Sequence, residues 1–555
     1  MRRSSLTRQH RPAVRSMFLG PIVYLWLVVT VVVVKASRPT PTSCCTTEGL
    51  NGIVQGGGAG VLDLDKVTAS LGGLSADEGT APIFANADCS SGLETPIAMR
   101  TLLVMDAAAF TVAALFDPNQ AALDVFGDKR TSNARRRCQP TTPEETTLFD
   151  LHRNVALAYA LAYGGLSGEW CMPYCQEPLS AAMNATDIPL SLVQEGEADV
   201  NTPWGLARAY VDEINAYMTE YDGWNADGSL SRKFNRIPFS DYAVTDFAGN
   251  SWTPYVPRNS PYNASIFRHK NSWQPLMESD GLGYIVTQEH VTPHIGVTGR
   301  FFGFNSPQDE REFASRELAD PSYNYPKVVH DVLEETRLTA TDTLKQEAIA
   351  FFDNKWTSLV TLKAVFFGRF NESALDFNRA TFEVQLATYN GVIMSWREKI
   401  RHDLPRPPTV ITDQLGDSLV KSYAGPDQGV QTLKASEWEP FIRTMPHSEF
   451  PSTSACLCQV YAEQVALFLE DDVIDPPLVF NTFSFSAWSD ISTVCGNSRV
   501  WGGMHFAAAV PAGAELCGGG RMARSINRKV GRLLAGDERA AIFDRKLRKV
   551  TVRPL

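Results

Sequence analysis

Three short segments in the last third of the chain carry side chains that together suit a tetrahedral oxyanion. The first, WREKIRHDLPRPP, places Lys399 at the end of a long helical pattern and Arg406 between two prolines. The second, EFPSTSACLC, sets Ser452, Thr453 and Ser454 between Pro451 and an amphipathic run that reads as a helix. The third, SRVWGGMHF, holds Arg499 and His505, with Gly502 and Gly503 letting the backbone bend between them. Two guanidiniums and an ammonium neutralise and orient charged oxygens. A serine hydroxyl and the N–H groups of a helix start add uncharged donors. An imidazole supplies a nitrogen that binds or attacks the central atom. Singly, each group has a plainer reading: solvated charges, a helix cap, a structural histidine. Their joint occurrence in this order is what makes the chemistry specific.

The succession Lys-x6-Arg-Pro, Pro-Ser-x-x and SRVWGGMH resembles the three-part signature of vanadium-dependent haloperoxidases and type 2 phosphatidic acid phosphatases. Trp396, three before Lys399, matches the haloperoxidase form, as do SWQPL, QEHVTPHIGV and LKQEAIAFFDNKWTSL upstream. The resemblance covers roughly residues 141–510. It implies a helical-bundle fold, vanadate as cofactor, and hydrogen peroxide with a halide as substrates. Lys399, Arg406, Ser452 and Arg499 would hold the vanadate oxygens, with the Thr453 N–H assisting and His505 binding vanadium. In a phosphatase the same His505 nitrogen would attack phosphorus.

Two positions depart from the family. Its pattern is Pro-Ser-Gly-His, the histidine being the acid–base partner, whereas this chain has Thr453 and Ser454 there. A serine does not titrate near neutral pH, and Thr453 adds a β-branched side chain where backbone is to approach closely. His447, five before Ser452, stands where chloroperoxidases have phenylalanine and algal bromoperoxidases histidine. It is placed to relay protons, or else is a hydrogen-bonded loop histidine; His402 is a weaker candidate. The catalytic set read from the sequence is thus His447, Ser454 and Lys399. Three functions stay open: a haloperoxidase oxidising bromide or iodide, with an organic acceptor as further partner; an oxyanion-binding homologue without turnover; an acid phosphatase.

The elements that must position these residues read as all-α, in packed helical bundles with long irregular excursions. Residues 37–140 are rich in Gly, Ala, Ser and Thr and read as a variable, irregular region. Helical patterns cover LFDLHRNVALAYALAY, WGLARAYVDEINAYM, YPKVVHDVLEETRLTATDTLKQEAIAFF, KWTSLVTLKAVFF and SALDFNRATFEVQLATYNGVIMSWREKI, within a domain drawn at 141–510. Residues 221–325 are aromatic, Pro-rich and poor in strands, so an ordered excursion is expected. Residues 511–555 read as a basic tail, a solvated end or a surface-binding arm.

The chain has 555 residues and a formal charge of −11. Residues 1–36 hold six basic residues and no acidic one, leaving −17 on the body, which argues against nucleic acid as partner. That start has a basic lead, the apolar run Met17 to Val34 and the exit KASRP. It reads as a signal peptide or a signal anchor, with a membrane involved only if it is uncleaved. No other run looks long and apolar enough to span a bilayer. The expected location is extracellular. Ten cysteines fit that compartment as disulfides. Cys456 and Cys458, two apart on a helix, point to different faces and should not pair with each other. Zinc at CMPYC is the rival use, without a second ligand pair at a suitable spacing. Sequons at Asn184, Asn263 and Asn371 agree with a secreted glycoprotein.

Overall fold

The stretch TPIAMRTLLVMDAAAFTVAALF folds into a 22-residue helix, α1 (Thr95–Phe116), inside the region expected to be irregular. Its apolar residues run around the whole circumference, as in a helix buried on all sides. From Thr101 to Phe116 every residue is buried. Contrary to the expectation of no further spanning-length run, Ala98–Phe116 is long and apolar enough to cross a membrane, yet it lies wholly within the protein core.

The computed structural model describes residues 95–117, 123–128, 142–166, 190–195, 199–200, 202–221, 255–261, 267–279, 285–353, 358–359, 361–362, 373–425, 428–480 and 483–544. All belong to one unit spanning 40–555. The signal segment, Cys44, Cys45, Cys89, Cys138, Cys171, Cys175, the CMPYC zinc reading and the three sequons lie outside these residues.

Helices α2 (Pro143–Leu166), α3 (Leu190–Glu195) and α4 (Pro203–Tyr221) follow, with α1 packed on α2 and α4. The excursion contains the hairpin β1 (Met277–Ser279) to β2 (Ile285–Thr287), then α5 (His294–Thr298) and α6 (Pro307–Ala314). The pattern read as one helix from Tyr325 is two, α7 (Tyr325–Thr339) and α8 (Thr343–Asp353). The break falls where the Asp342 side chain accepts the Lys345 N–H and starts a new helix. Next come α9 (Ala374–His402), α10 (Pro407–Leu415) and the hairpin β3 (Leu419–Tyr423) to β4 (Val430–Lys434). They are followed by α11 (Thr453–Leu469), the hairpin β5 (Val473–Phe480) to β6 (Phe483–Ala487), α12 (Trp488–Trp501), α13 (Ala509–Cys517) and α14 (Arg521–Leu534). The described strands pair only as two-stranded antiparallel hairpins, so the class is mainly α, as expected.

Helix α9 is the axis of the core. Ser373 caps it by accepting the Asp376 N–H at 3.2 Å, and Asp403 ends it in the left-handed region at φ 51°. Pro405 and Pro407 cannot extend it. From Thr381 to Lys399 every residue is buried, with α1, α5, α11, α13 and α14 packed around. Phe110 of α1 stacks on Phe382 of α9, ring centroids 4.9 Å apart.

Two disulfides fan out from α11. Cys456 bonds Cys517 of α13, and Cys458 bonds Cys495 of α12, with Cα separations of 5.2 and 6.3 Å. The expectation that Cys456 and Cys458 do not pair with each other holds. Helix α14 corrects the reading of 511–555 as a tail. Met522, Ile526, Val530 and Leu533 are buried against α9 and α11, while Arg521, Arg524, Arg528 and Arg532 stay exposed. The basic composition hid an apolar stripe at spacings of three and four.

Candidate active site

The three sequence segments converge. Lys399 stands in the last turn of α9, Arg406 is the N-cap residue of α10, and Ser452 caps α11. Arg499 lies in the last turn of α12, and His505 sits in the turn after it. That turn needs its glycines: Gly503 has φ +75°, and a Cβ on it would come within 2.9 Å of Thr336 Cγ2 and 3.0 Å of the Trp438 ring. Gly513 of α13 likewise lets the cap approach, because a Cβ there would sit 2.1 Å from the Ser452 carbonyl oxygen.

PSTS both caps the helix and opens a cradle. The Ser452 hydroxyl accepts the Ala455 N–H at 3.3 Å, and the Ser452 N–H donates to the Ala509 carbonyl at 2.9 Å. Thr453 and Ser454 begin the helix, where N–H groups have no intrahelical acceptor. Thr453, Ser454, His447, Arg499 and His505 line one small cavity with Thr95, Asp353, Trp396, Met445 and Met504. The Thr453 hydroxyl oxygen is buried there without a hydrogen-bond partner among the described residues.

Lys399 and Arg406 do not line that cavity. The Lys399 ammonium donates to the carbonyls of Ser448, Glu449 and Pro451 at 2.8, 3.3 and 2.6 Å. An ammonium has three N–H bonds, so all are engaged by the loop that leads into the cradle. Arg406 donates to the carbonyls of His447 and Met504 at 2.8 and 3.0 Å, and its two terminal nitrogens reach His447 Nδ1 at 2.9 Å and His505 Nε2 at 3.3 Å. His402 lies apart, 3.4 Å from the Glu398 carboxylate and against the Phe450 ring.

Electrostatically the cluster is starved of negative charge. Lys399, Arg406 and Arg499 are 0%, 0% and 1% exposed. Burial pushes Arg406 and Arg499 down to about 10, and burial with the Arg406 charge holds Lys399 well below the usual lysine range. Among the described residues, one buried carboxylate, Glu449, stands against them, with Asp353, whose side chain is 44% exposed and lies 3.6 Å from Arg499. Burial pushes Glu449 up to about 7, with Arg406, the Tyr323 hydroxyl and Lys399 opposing. His447 is held well below the ordinary histidine range by burial, Lys399, Arg406 and His290. His447 Nδ1 sits between two unlike partners, the Arg406 nitrogen, which can only donate, and the Ser448 carbonyl at 3.2 Å, which can only accept. Burial and the neighbouring cations thus favour the neutral imidazole of His447.

Sequence reasoning missed Glu449. Its carboxylate lies 2.9 Å from His505 Nδ1. Its signal was a carboxylate two residues before the cradle proline, a place with no partner visible in the chain. The excursion also bears on the site: Trp396 donates to the Val291 carbonyl at 2.8 Å and packs on His447 with centroids 4.9 Å apart. Val291 in turn donates to the Pro446 carbonyl at 2.9 Å, fixing the loop that carries His447. Among the described residues no group of three or more His, Cys, Asp or Glu forms a metal cluster, so a metal here would rest on His505 and oxyanion contacts.

Residues 379–536 match the family described as the VCPO second helical-bundle domain, a span that takes in most of α9, all of α10 to α14 and every cradle residue. The whole fold is similar to an apo-type bacterial vanadium-dependent chloroperoxidase, with TM-score 0.64 and 19% identity over 80% of this chain and 95% of that one. A holo-type bacterial vanadium-dependent chloroperoxidase gives 0.63 and 20% over 82% and 95%. No curated protein sequence matches the chain. Residues 379–536 are thus similar to that helical-bundle domain, within a fold similar to bacterial vanadium-dependent chloroperoxidases.

Proposed function

We propose that the protein binds vanadate and oxidises bromide or iodide with hydrogen peroxide to hypohalous acid. The observation that carries this reading is the buried cation excess beside the start of α11 and His505. Buried charges without counterparts are costly, and an oxyanion removes the cost while satisfying the orphaned Thr453 hydroxyl. The donor set fits such a group: Arg499, the first N–H groups of α11, the Ser452 and Thr453 hydroxyls, Arg406 at the edge and His505 as the nitrogen ligand. When bound, vanadate supplies a Lewis acid that activates peroxide toward halide attack. The chain's own share is to hold the oxyanion, exclude water and present the neutral His447 imidazole as a hydrogen-bonding partner. Lys399 acts at one remove, by fixing the loop.

Ser454 supports a second reading, an oxyanion-binding homologue with little turnover, because the hydroxyl at the cavity cannot shuttle protons near pH 7. Full-length protein loaded with vanadate and given peroxide and bromide decides between the two. Measurable hypobromite supports the peroxidase; bound vanadate without turnover supports the second reading. We further propose secretion, supported by the signal-like start and the two buried disulfides.

A further inference from the structure

The carboxylate of Glu449 is sealed at 0% exposure and meets three groups. Its Oε1 lies 2.9 Å from His505 Nδ1 and accepts the Phe506 backbone N–H at 3.0 Å, while Oε2 accepts the Tyr323 hydroxyl at 2.8 Å. Two of these contacts fix the third. The Phe506 N–H can only donate, so Oε1 faces that corner as an acceptor, and a lone pair on Nδ1 would meet it repulsively. Nδ1 therefore carries a proton. On the far side of the ring, Nε2 stands 3.3 Å from an Arg406 nitrogen, which also can only donate. Both edges of the imidazole thus select one tautomer.

We propose that Glu449 is a positioning residue that commits His505 to the Nδ1–H tautomer, leaving Nε2 as the nitrogen with the lone pair. This inference rests on the oxyanion reading above for its consequence, since only a lone pair on Nε2 can bind a metal-centred oxyanion or attack phosphorus. Glu449 also ties three parts of the fold to that ring. Its own backbone N–H donates to the Leu404 carbonyl at 2.9 Å, and its carboxylate reaches the segment before α7 through Tyr323 and the His505 turn through Phe506. A shift of the ring or of the loop would break the set together.

The test uses full-length protein labelled with ¹⁵N in its histidine rings, the His505 signals being assigned by their loss in His505→Asn. Long-range proton–nitrogen correlations report which ring nitrogen is protonated, and equilibrium dialysis with orthovanadate reports retention. Wild type should show His505 with its proton on Nδ1. Glu449→Leu should populate the Nε2–H form and weaken vanadate retention by roughly 10- to 100-fold. Glu449→Gln keeps a carbonyl oxygen as acceptor, so it should restore the wild-type tautomer and retention within about threefold. An Nε2–H tautomer in wild type overturns the proposal without any variant, as does an unchanged tautomer in Glu449→Leu. A changed tautomer with unchanged retention removes the role toward the ligand. If wild type holds no vanadate but shows the Nδ1–H tautomer, the functional reading fails while the assignment of Glu449 to the tautomer stands.

Discussion

The Lys399 ammonium lies 2.6 Å from the carbonyl oxygen of Pro451, across 52 residues of sequence, and closes the loop that carries the cradle onto the end of α9. The Ser448 hydroxyl answers by donating to the Lys399 carbonyl at 2.6 Å. Lys399→Met should therefore loosen this loop before it touches any ligand. Removing the ammonium strands three buried carbonyls, a loss on the order of 3 kcal/mol. Amide exchange across residues 447–453 should rise in the unliganded variant. Unchanged exchange together with lost anion binding would instead make Lys399 a direct ligand.

The cation excess predicts which substitutions separate oxyanion binding from metal binding. Arg499→Gln and Arg406→Gln each remove charge-assisted donors worth about 1.5–3 kcal/mol, so affinity for both phosphate and vanadate should fall about 10- to 100-fold. His505→Ala removes the nitrogen ligand but no fixed charge. It should abolish vanadate retention and leave phosphate affinity within about threefold. Calorimetric titration of each variant with both anions checks this; equal losses for both anions in His505→Ala would make the histidine a mere donor.

His290 gives a pH dependence away from the cradle. It is 5% exposed, with Tyr255 and Trp273 packed around its ring, and burial lowers it to about 3, the Val291 carbonyl opposing and Lys399 and Arg406 adding. The unfolded chain then takes up this proton near the ordinary 6.5, and the folded protein only near 3. Between these values the unfolded state binds more protons, so stability contributed by neutral His290 is lost as pH falls. Denaturant titrations from pH 6 to pH 4 should show His290→Phe with a slope shallower than wild type by about 1.4 kcal/mol per pH unit. Parallel curves would mean that His290 titrates normally.

What could be read from the sequence follows from where each signal is stored. Arg406, Ser452, Arg499 and His505 stood in short segments whose spacing already encodes a helix end, a cap and a glycine turn. Their convergence was legible for that reason. Glu449 was not, because its meaning lies in contacts with His505 and Tyr323, 56 and 126 residues away. Helix α1 was hidden by its surroundings: uniform apolarity gives no helical stripe to detect, and Gly-rich sequence precedes it. The same spacing that suggested Lys399 as an oxygen ligand could not show that three carbonyls would take its protons.

Ser454 is the position on which turnover depends. It lines the cavity with His447, Thr453, Arg499 and His505, and a hydroxyl there offers a hydrogen bond but no proton exchange near pH 7. His447 is a poor proton acceptor in its place, since burial and two neighbouring cations disfavour its protonated form. Wild-type halide oxidation should therefore be slow and should favour iodide and bromide over chloride, which is the hardest to oxidise. Thr453→Gly with Ser454→His restores both a close backbone approach and a titratable group. It should raise bromide oxidation by about 10²-fold at neutral pH, the ordinary worth of an acid–base side chain. His447→Ala should lower the wild-type rate by removing an imidazole that lines the cavity, with a smaller effect in the double variant. Bromide-dependent bromination of a phenolic dye, with vanadate content measured on each preparation, checks all four proteins. Equal turnover in all of them at equal vanadate loading would mean that neither His447 nor Ser454 handles the proton.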